Sequence, residues 1–299
     1  MCLIVFAYRT SDAFPLVVAA NRDEYYERPS EEAHFWGTPD DILGGRDLKS
    51  GGTWMGITKS GRFAAVTNYR SASELSDENK PPKSRGSLVA DFLKSNIPAL
   101  YFLQKMKPEE ALLYGGFSLI LGDPSGIYCF SNRGDSQHPP CSIRKLEPGR
   151  IYCLCNRLLD DPWPKVESSK ENLSNLMPLM EQFSVEQRME KLHDILKDTS
   201  RAPVDQLPTK ETGCSEKIEE FLSSVFIESQ EYGTRTATAL VISSSATDPN
   251  KPSATCSFTE WSYDKGGMYT GKVEKKFDTA HSPGSDQHLS TAASKFLSI

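Results

Sequence analysis

The chain contains 299 residues, of which 38% are hydrophobic and 25% are charged, a balance typical of a soluble globular protein rather than a disordered or membrane-embedded one. Its formal net charge of -6 at pH 7 provides no basic surface of the kind that neutralises phosphates. We therefore expect a small-molecule ligand and no nucleic-acid partner.

The first part of the chain is predicted to form antiparallel strands joined by tight turns. Strand-like apolar runs cover residues 3–9, 15–21, 53–58 and 62–68. Glycine pairs at 44–45 and 51–52 are expected in turns, or where the backbone approaches a ligand or a second strand. The N-terminal run lacks the leading basic segment of a signal peptide, and no apolar run approaches the roughly 20 residues of a transmembrane helix.

Helices are expected in the middle of the chain, and strands return after them. Residues 71–84 are polar and suit an exposed loop, and Pro98 divides a helical segment at residues 87–106. Further helices are predicted at residues 163–180, 184–197 and 216–226, and strands at 117–121, 126–131, 150–155, 236–243, 254–261 and 268–277. We predict one α+β domain over residues 1–277, with first and last strands sharing a core, and a disordered tail at residues 278–299.

The spacing of cysteines and histidines gives no metal or disulfide framework. The seven cysteines are an odd number without scaffold spacing, which indicates reduced thiols in the cytosol or an organelle matrix. The five histidines are scattered, so we predict no metal site. His193 is expected at the half-exposed surface of its helix.

Cys2 is the first candidate for chemistry. Methionine aminopeptidases remove Met1 when the next residue is small, and the first residue would then carry both a thiol and a free amine. An α-amine has a pKa of about 7.7 to 8.0 and can accept the thiol proton near neutrality. Equally, Cys2 fits the role of a small apolar residue at the start of a strand.

The segment Asn21-Arg22-Asp23-Glu24 lies one predicted hairpin away from Cys2. Antiparallel pairing of the first two strands brings its cation and carboxylates beside the thiol. Adjacent strand residues point to opposite faces, so without a bulge only one of Arg22 and Asp23 faces Cys2. In that case we expect Asn21 or Asp23 to act at the site while Arg22 packs elsewhere.

Met-Cys-Leu-Ile at the start, together with Asn21-Arg22-Asp23-Glu24, resembles the motif pair of the NRDE family, the family of transport and Golgi organisation protein 2. Further blocks of the same kind follow over residues 1–277: Gly44-Gly45-Arg46-Asp47, Gly51-Gly52-Thr53-Trp54-Met55-Gly56, Ala65-Val66-Thr67-Asn68, Asn156-Arg157-Leu158-Leu159-Asp160, Pro162-Trp163-Pro164-Lys165 and Tyr232-Gly233-Thr234-Arg235. The family is similar in layout to cysteine N-terminal-nucleophile amidases, such as bile salt hydrolases and penicillin V acylases. This resemblance implies an α+β fold, an αββα four-layer sandwich of two antiparallel sheets.

The resemblance also implies roles for individual residues. The implied catalytic set is Cys2, Arg22, Asp23, Asn68, Asn156 and Arg235, and the implied ligand-binding set is Asn21, Arg22, Asp23, Glu24, Trp54 and Arg235. In this scheme an arginine favours the thiolate or binds an anionic group, Asp23 holds the α-amine, and the two asparagines donate to an oxyanion. Asn68 is equally compatible with a strand end, and Arg235 with a solvated strand position.

Two functions fit the resemblance. The first is intracellular handling of a hydrophobic small ligand, above all haem binding and trafficking, with acyl lipids as a further class, in the cytoplasm or at the mitochondrion or Golgi. Haem would be a ligand rather than a required cofactor, with its propionates on Arg22 or Arg235. The alternative is a cysteine N-terminal-nucleophile amidohydrolase that cleaves a linear amide C–N bond through a Cys2 thioester. In the amidases the arginine and aspartate are separated, whereas Arg22 and Asp23 are adjacent here.

Overall fold

The computed structural model describes residues 2–37, 41–75, 82–244 and 254–285. The strands in these ranges are β1 (Cys2–Tyr8), β2 (Leu16–Tyr25), β3 (Ser30–Trp36), β4 (Ile42–Asp47), β5 (Met55–Thr58), β6 (Phe63–Asn68), β7 (Phe117–Asp123), β8 (Gly126–Ser131), β9 (Ile143–Lys145), β10 (Arg150–Leu154), β11 (Tyr232–Ser244), β12 (Ala254–Asp264) and β13 (Met268–Thr279). The helices are α1 (Ala72–Leu75), α2 (Arg85–Lys94), α3 (Ala99–Gln104), α4 (Pro108–Ala111), α5 (Pro164–Leu176), α6 (Val185–Leu196), α7 (Thr209–Thr212) and α8 (Glu216–Phe221).

The strands form two antiparallel sheets. The first sheet has the order β10-β1-β2-β11-β12-β13, and the second has the order β3-β4-β5-β6-β7-β8-β9. The pairing of β2 with β11 joins the first and last strand blocks in one sheet, and these blocks thereby share a core.

Three apolar layers hold these elements together. One lies between the sheets, a second between the first sheet and helices α5 and α6, and a third between the second sheet and helices α2 and α3. Helices therefore cover the outer face of each sheet, and the predicted αββα four-layer sandwich is confirmed. None of the helices in the described ranges has the length and apolar character that crossing a membrane requires.

Several predicted boundaries differ from the structure. The sequence pattern indicates turns where β3 and β4 lie, because β3 has no regular apolar alternation and β4 contains Gly44 and Gly45. A 3-10 helix, Met177–Gln182, continues from α5 where one helix is expected, and α8 ends earlier than predicted. Strand β13 extends to Thr279, and the remainder of the predicted tail from residue 286 lies outside the described residues.

Gly45 lies in strand β4 rather than in a turn, and its lack of a side chain leaves space for the neighbouring Trp54. A β-carbon at position 45 would lie 2.2 Å from the nearest ring atom of Trp54, so a larger residue would displace the indole. The glycine thus allows the Trp54 ring to lie directly over β4.

His193 is buried, not half-exposed as the helical pattern indicates. Its ring stacks on Trp261 with centroids 4.0 Å apart, and Nε2 lies 2.5 Å from the Tyr263 hydroxyl. Burial, together with the positive charge of Lys197, lowers the pKa of His193 from 6.5 to about 4. The neutral imidazole is therefore the form that packs between α6 and β12.

This burial predicts acid sensitivity. The unfolded chain binds a proton at His193 near pH 6.5 and the folded chain only near pH 4, so stability falls as pH drops through this window. We expect His193→Gln to remove up to about 3 kcal/mol of this loss, measured by urea unfolding at several pH values. The exposed His138→Gln serves as the control, and an unchanged acid dependence in His193→Gln would contradict the assignment.

Candidate active site around Cys2

Cys2 and Arg22 share one face of the first sheet. The two residues are directly paired between β1 and β2. Alternate positions of these strands, such as Ile4 and Ala20, belong to the layer between the sheets, whereas Leu3 belongs to the helix-covered layer. Arg22 therefore faces the same side as Cys2, which corrects the expectation that it packs elsewhere.

Asn21 points to the opposite face and does not line the Cys2 cavity. Its side-chain nitrogen donates to the backbone oxygens of Leu196 and Val225, both at 2.9 Å. It thereby ties β2 to the end of α6 and to the segment before β11. The structure thus places Asn21 in a supporting position rather than in the predicted ligand-binding set.

Asp23 also has its carboxylate on the helix side, but its backbone reaches the thiol. Oδ1 accepts a hydrogen bond of 2.7 Å from the Thr234 hydroxyl, and the backbone oxygen accepts one from Tyr232 at 3.1 Å. Burial raises the pKa of the Asp23 carboxyl, while nearby positive charges such as Lys165 and the Thr234 hydrogen bond act in the opposite direction. Asp23 is therefore a fixed, largely buried acid directly behind Cys2.

The Cys2 thiol is half-buried and lies in a mixed electrostatic environment. Burial raises its pKa, and the negative charge of Asp23 acts in the same direction. The positive charge of Arg22 and a hydrogen bond from the Asp23 backbone N–H lower it. Arg22 and the Asp23 backbone N–H thus favour the thiolate, but burial has the larger effect on the pKa of Cys2.

Asn156 links Cys2 to the second sheet. Its Oδ1 accepts from the backbone nitrogen of Cys2 at 3.3 Å, and its Nδ2 donates to the backbone oxygen of Asn68 at 3.2 Å. The side chain is fully buried, and the Arg70 backbone N–H donates to its backbone oxygen at 2.5 Å. Asn156 therefore fixes the nitrogen of the candidate nucleophile relative to the end of β6.

The cavity beside Cys2 has a volume of about 650 Å³. Its lining consists of Cys2, Arg22, Asp23, Glu24, Arg28, Asp47, Lys49, Ser50, Thr53, Trp54, Val66, Asn68, Pro82, Lys83, Ser84, Arg85 and Gly86. Five of the predicted site residues other than Cys2 therefore meet here: Arg22, Asp23, Glu24, Trp54 and Asn68. The Asn68 side chain is exposed at this surface and lies in the cavity wall, where it can donate to a ligand.

Arg28 and Arg22, two cations on the cavity wall, differ in whether they contact a carboxylate. Arg28 forms ion pairs with Asp47 at 2.7 Å and with Glu24 at 3.7 Å. The guanidinium of Arg22 lies 4.4 Å from the centre of the Trp54 ring, and its Nη1 has no hydrogen-bond partner within the described part of the chain. Glu24 is thus engaged with Arg28, whereas Arg22 is held by an aromatic face.

Arg235 lies outside this cavity. It occupies a bulge where β11 shifts register against β2, and its Nη1 donates to the backbone oxygens of Tyr25, Tyr26 and Arg28 at 3.0 to 3.3 Å. It lines a separate groove of about 310 Å³. The structure thus gives Arg235 a role in shaping the chain after Glu24 rather than in contacting Cys2.

Lys49, Lys83 and Arg85 are cavity residues that the sequence pattern does not single out. Lys49 follows β4, Lys83 lies just before α2, and Arg85 is the first residue of α2, so the two segments are far apart in the chain. No short motif connects them, so only the three-dimensional arrangement reveals this basic wall. In the described residues, no group of His, Cys, Asp and Glu side chains is arranged to hold a metal ion.

Comparison with known proteins places these features in context. A model of the family described as Transport and Golgi organisation 2 matches residues 1–264. The Transport and Golgi organization protein 2 homologs of Bos taurus and Homo sapiens are 34% and 35% identical over 257 residues, which cover 81% of this chain and 88% of each relative.

Among solved structures, the chain resembles the Caenorhabditis elegans N-acylethanolamine-hydrolyzing acid amidase ortholog. The TM-score is 0.37 and the identity 10%, over 67% of this chain and 86% of that chain.

The placement of Asn21 predicts that it supports the fold without touching a ligand. Asn21→Ala should lower the free energy of unfolding by about 1 to 3 kcal/mol, because two buried carbonyls lose their donor. The rate at which iodoacetamide alkylates Cys2 should change little, as read from mass spectrometry of the labelled N-terminal peptide. The exposed Asn68→Ala is the stability control, and a large change in alkylation with unchanged stability would refute this placement.

Proposed function

The chain belongs to the Transport and Golgi organisation 2 family, and we propose that it is an amidohydrolase that uses Cys2 as its nucleophile. The observation that carries this proposal is the setting of Cys2. Its sulfur faces a cavity and accepts from the Asp23 backbone N–H, while its nitrogen is held by Asn156.

Removal of Met1 would complete the nucleophile. The nitrogen of Cys2 would become an α-amine with a pKa of about 7.7 to 8.0, on the same residue as the thiol. In neutral form it accepts the thiol proton, and the resulting positive charge stabilises the thiolate. The Asn156 oxygen, already 3.3 Å from this nitrogen, orients the amine.

The reaction then proceeds by acyl transfer. The Cys2 sulfur attacks the carbonyl carbon of a linear amide, and the carbonyl oxygen takes the negative charge. The C–N bond breaks as the α-ammonium returns its proton to the leaving nitrogen, which departs as an amine and leaves a thioester. Water, deprotonated by the α-amine, attacks the thioester and releases a carboxylic acid and the thiol.

Asn68 is suited to stabilise the oxyanion. Its side chain lies in the cavity wall, whereas the amide nitrogen of Asn156 is already bonded to the Asn68 backbone. A neutral amide donor directed at a developing negative charge contributes strongly to such reactions. The resemblance implies the same oxyanion role for Asn68 and Asn156. In this mechanism Asn156 orients the amine, and Asn68 binds the oxyanion.

Two forms of the protein that differ only at the N-terminus test this mechanism. The first form carries a leader that a protease removes directly before Cys2, which leaves Cys2 with a free α-amine. In the second form one glutamate precedes Cys2, so the Cys2 nitrogen is part of a peptide bond. With short- and medium-chain N-acyl anilides, the free amine should accelerate hydrolysis by about 10²-fold or more. Cys2→Ala should be inactive, and intact mass should show the acyl adduct on Cys2. Equal rates from both termini would sink the mechanism.

We propose a second function for the same cavity, the binding and transfer of a large acidic ligand such as haem, or of an acyl lipid with an acidic head. The basic residues Arg22, Lys49, Lys83 and Arg85 on its wall favour this reading, because they can meet propionate or other acid groups. Among the lining residues Cys2 is the available iron ligand, since they include neither His nor Tyr. Charged side chains form a large share of the cavity lining, and an apolar ligand such as haem needs an apolar wall, so we rank this function below the hydrolase.

Haem titration tests the binding function. A saturable Soret shift is expected, which Arg22→Met should weaken and Cys2→Ala should move in wavelength, because the latter removes the sulfur ligand. Arg201→Met removes an exposed cation far along the chain and serves as the control. A shift that fails to saturate, or that is identical in Cys2→Ala, would argue against haem in this cavity.

A further inference from the structure

Arg22 is a buried cation that contacts no counter-charge among the residues that the structure describes. Arg22 is only 5% exposed, and the described residues provide no ion pair or hydrogen bond for its guanidinium. Burying an ionised group without acceptors is costly, and such groups are normally paired. The stacked Trp54 ring offsets a part of this cost but accepts none of the N–H donors.

The acidic residues near Arg22 do not fill this gap. The Asp23 carboxylate lies on the opposite face of the sheet and is bonded to Thr234. Glu260, between the sheets, accepts from the Ala33 backbone N–H at 2.7 Å, and burial raises its pKa to about 7. With a pKa of about 7, Glu260 is only partly ionised at neutral pH and already accepts from Ala33, so it supplies at most a partial negative charge to Arg22. Arg235, on the neighbouring strand, adds a further positive charge.

The position of Arg22 defines where an external anion would lie. Arg22 and Cys2 are direct partners across β1 and β2, and β-carbons of such pairs are about 4.5 to 5.5 Å apart. Both side chains project toward the same cavity. An acid group held by Arg22 therefore lies close to a carbonyl carbon that is positioned for attack by Cys2.

We propose that the preferred substrates are amides that carry a carboxylate two or three bonds from the scissile C–N bond, and that Arg22 binds this carboxylate. The inference rests on the proposed hydrolase function of Cys2 and adds the specificity to it. The planar guanidinium matches a carboxylate through two parallel N–H donors, and Trp54 holds the plane in place.

The carboxylate can belong to either half of the amide, and paired probes distinguish the two. N-hexanoylglycine carries it on the amine half, and its neutral twin is N-hexanoylglycinamide. N-butylsuccinamic acid carries the carboxylate on the acyl half, and its neutral twin is N-butylsuccinamide. For one of the pairs, the wild-type protein should show kcat/KM about 10- to 100-fold higher for the acid than for its twin.

Variants of Arg22 locate the source of this preference. Arg22→Met should abolish the difference in kcat/KM between acid and twin, while the loss of its positive charge beside Cys2 slows both substrates alike. Arg22→Lys should restore a part of the difference because it keeps the charge without the fork. Arg201→Met, an exposed cation outside the cavity, should leave the preference unchanged. Thermal melting of each variant separates a loss of specificity from a loss of folding. Equal turnover of acid and twin by the wild-type protein would overturn the inference while leaving the hydrolase intact.

Binding to Cys2→Ala gives a readout that does not depend on turnover. Isothermal titration calorimetry should give the preferred acid a Kd at least about 10-fold lower than that of its twin. Arg22→Met in the Cys2→Ala background should abolish this difference. If the acid binds in this way and the wild-type protein hydrolyses none of the probes, the anion site stands and the hydrolase function fails. If neither acid binds more tightly than its twin, the carboxylate site is refuted.

Discussion

The pairing of Cys2 with Arg22 across the first two strands determines the character of the site. Because side chains alternate along a strand, this one register places the thiol and the guanidinium toward the second sheet and sends Asn21 and Asp23 toward the helices. A shift of one residue would exchange these faces and put a carboxylate beside the sulfur. The electrostatic setting of the Cys2 thiol is therefore a property of strand register as much as of residue type.

The residues behind the cavity keep that register and the strand ends in place. Asn21 satisfies two carbonyls at the end of a helix, Asn156 joins the first strand to the second sheet, and Arg235 satisfies three carbonyls after Glu24. Each is a side-chain donor or acceptor that replaces a backbone partner where regular pairing ends. The same residue types that suggest catalysis in a sequence here serve largely to hold irregular backbone near Cys2 and its cavity.

Strand length, apolar alternation and a short hairpin predict one α+β domain with antiparallel strands and the proximity of Cys2 to residues 21–24. The four-layer arrangement is implied only by the resemblance to a known family. The sequence does not reveal which of Arg22 and Asp23 faces the thiol, since that depends on the register and on the bulge at Arg235. The basic wall formed by Lys49, Lys83 and Arg85 likewise depends on tertiary contacts between distant segments. His193 lies in a helix as expected, but its burial is set by Trp261 and Tyr263 on another strand.

The close packing of Gly45, Trp54 and Arg22 has a consequence for how this chain can vary. A side chain at position 45 would push the indole away, and a displaced indole would leave the guanidinium without the surface that holds its plane. The three positions thus form one mutational unit in which the effect of each substitution depends on the other two. Joint replacement of all three residues is accordingly expected to preserve the packing of this wall better than a single substitution at any one of them.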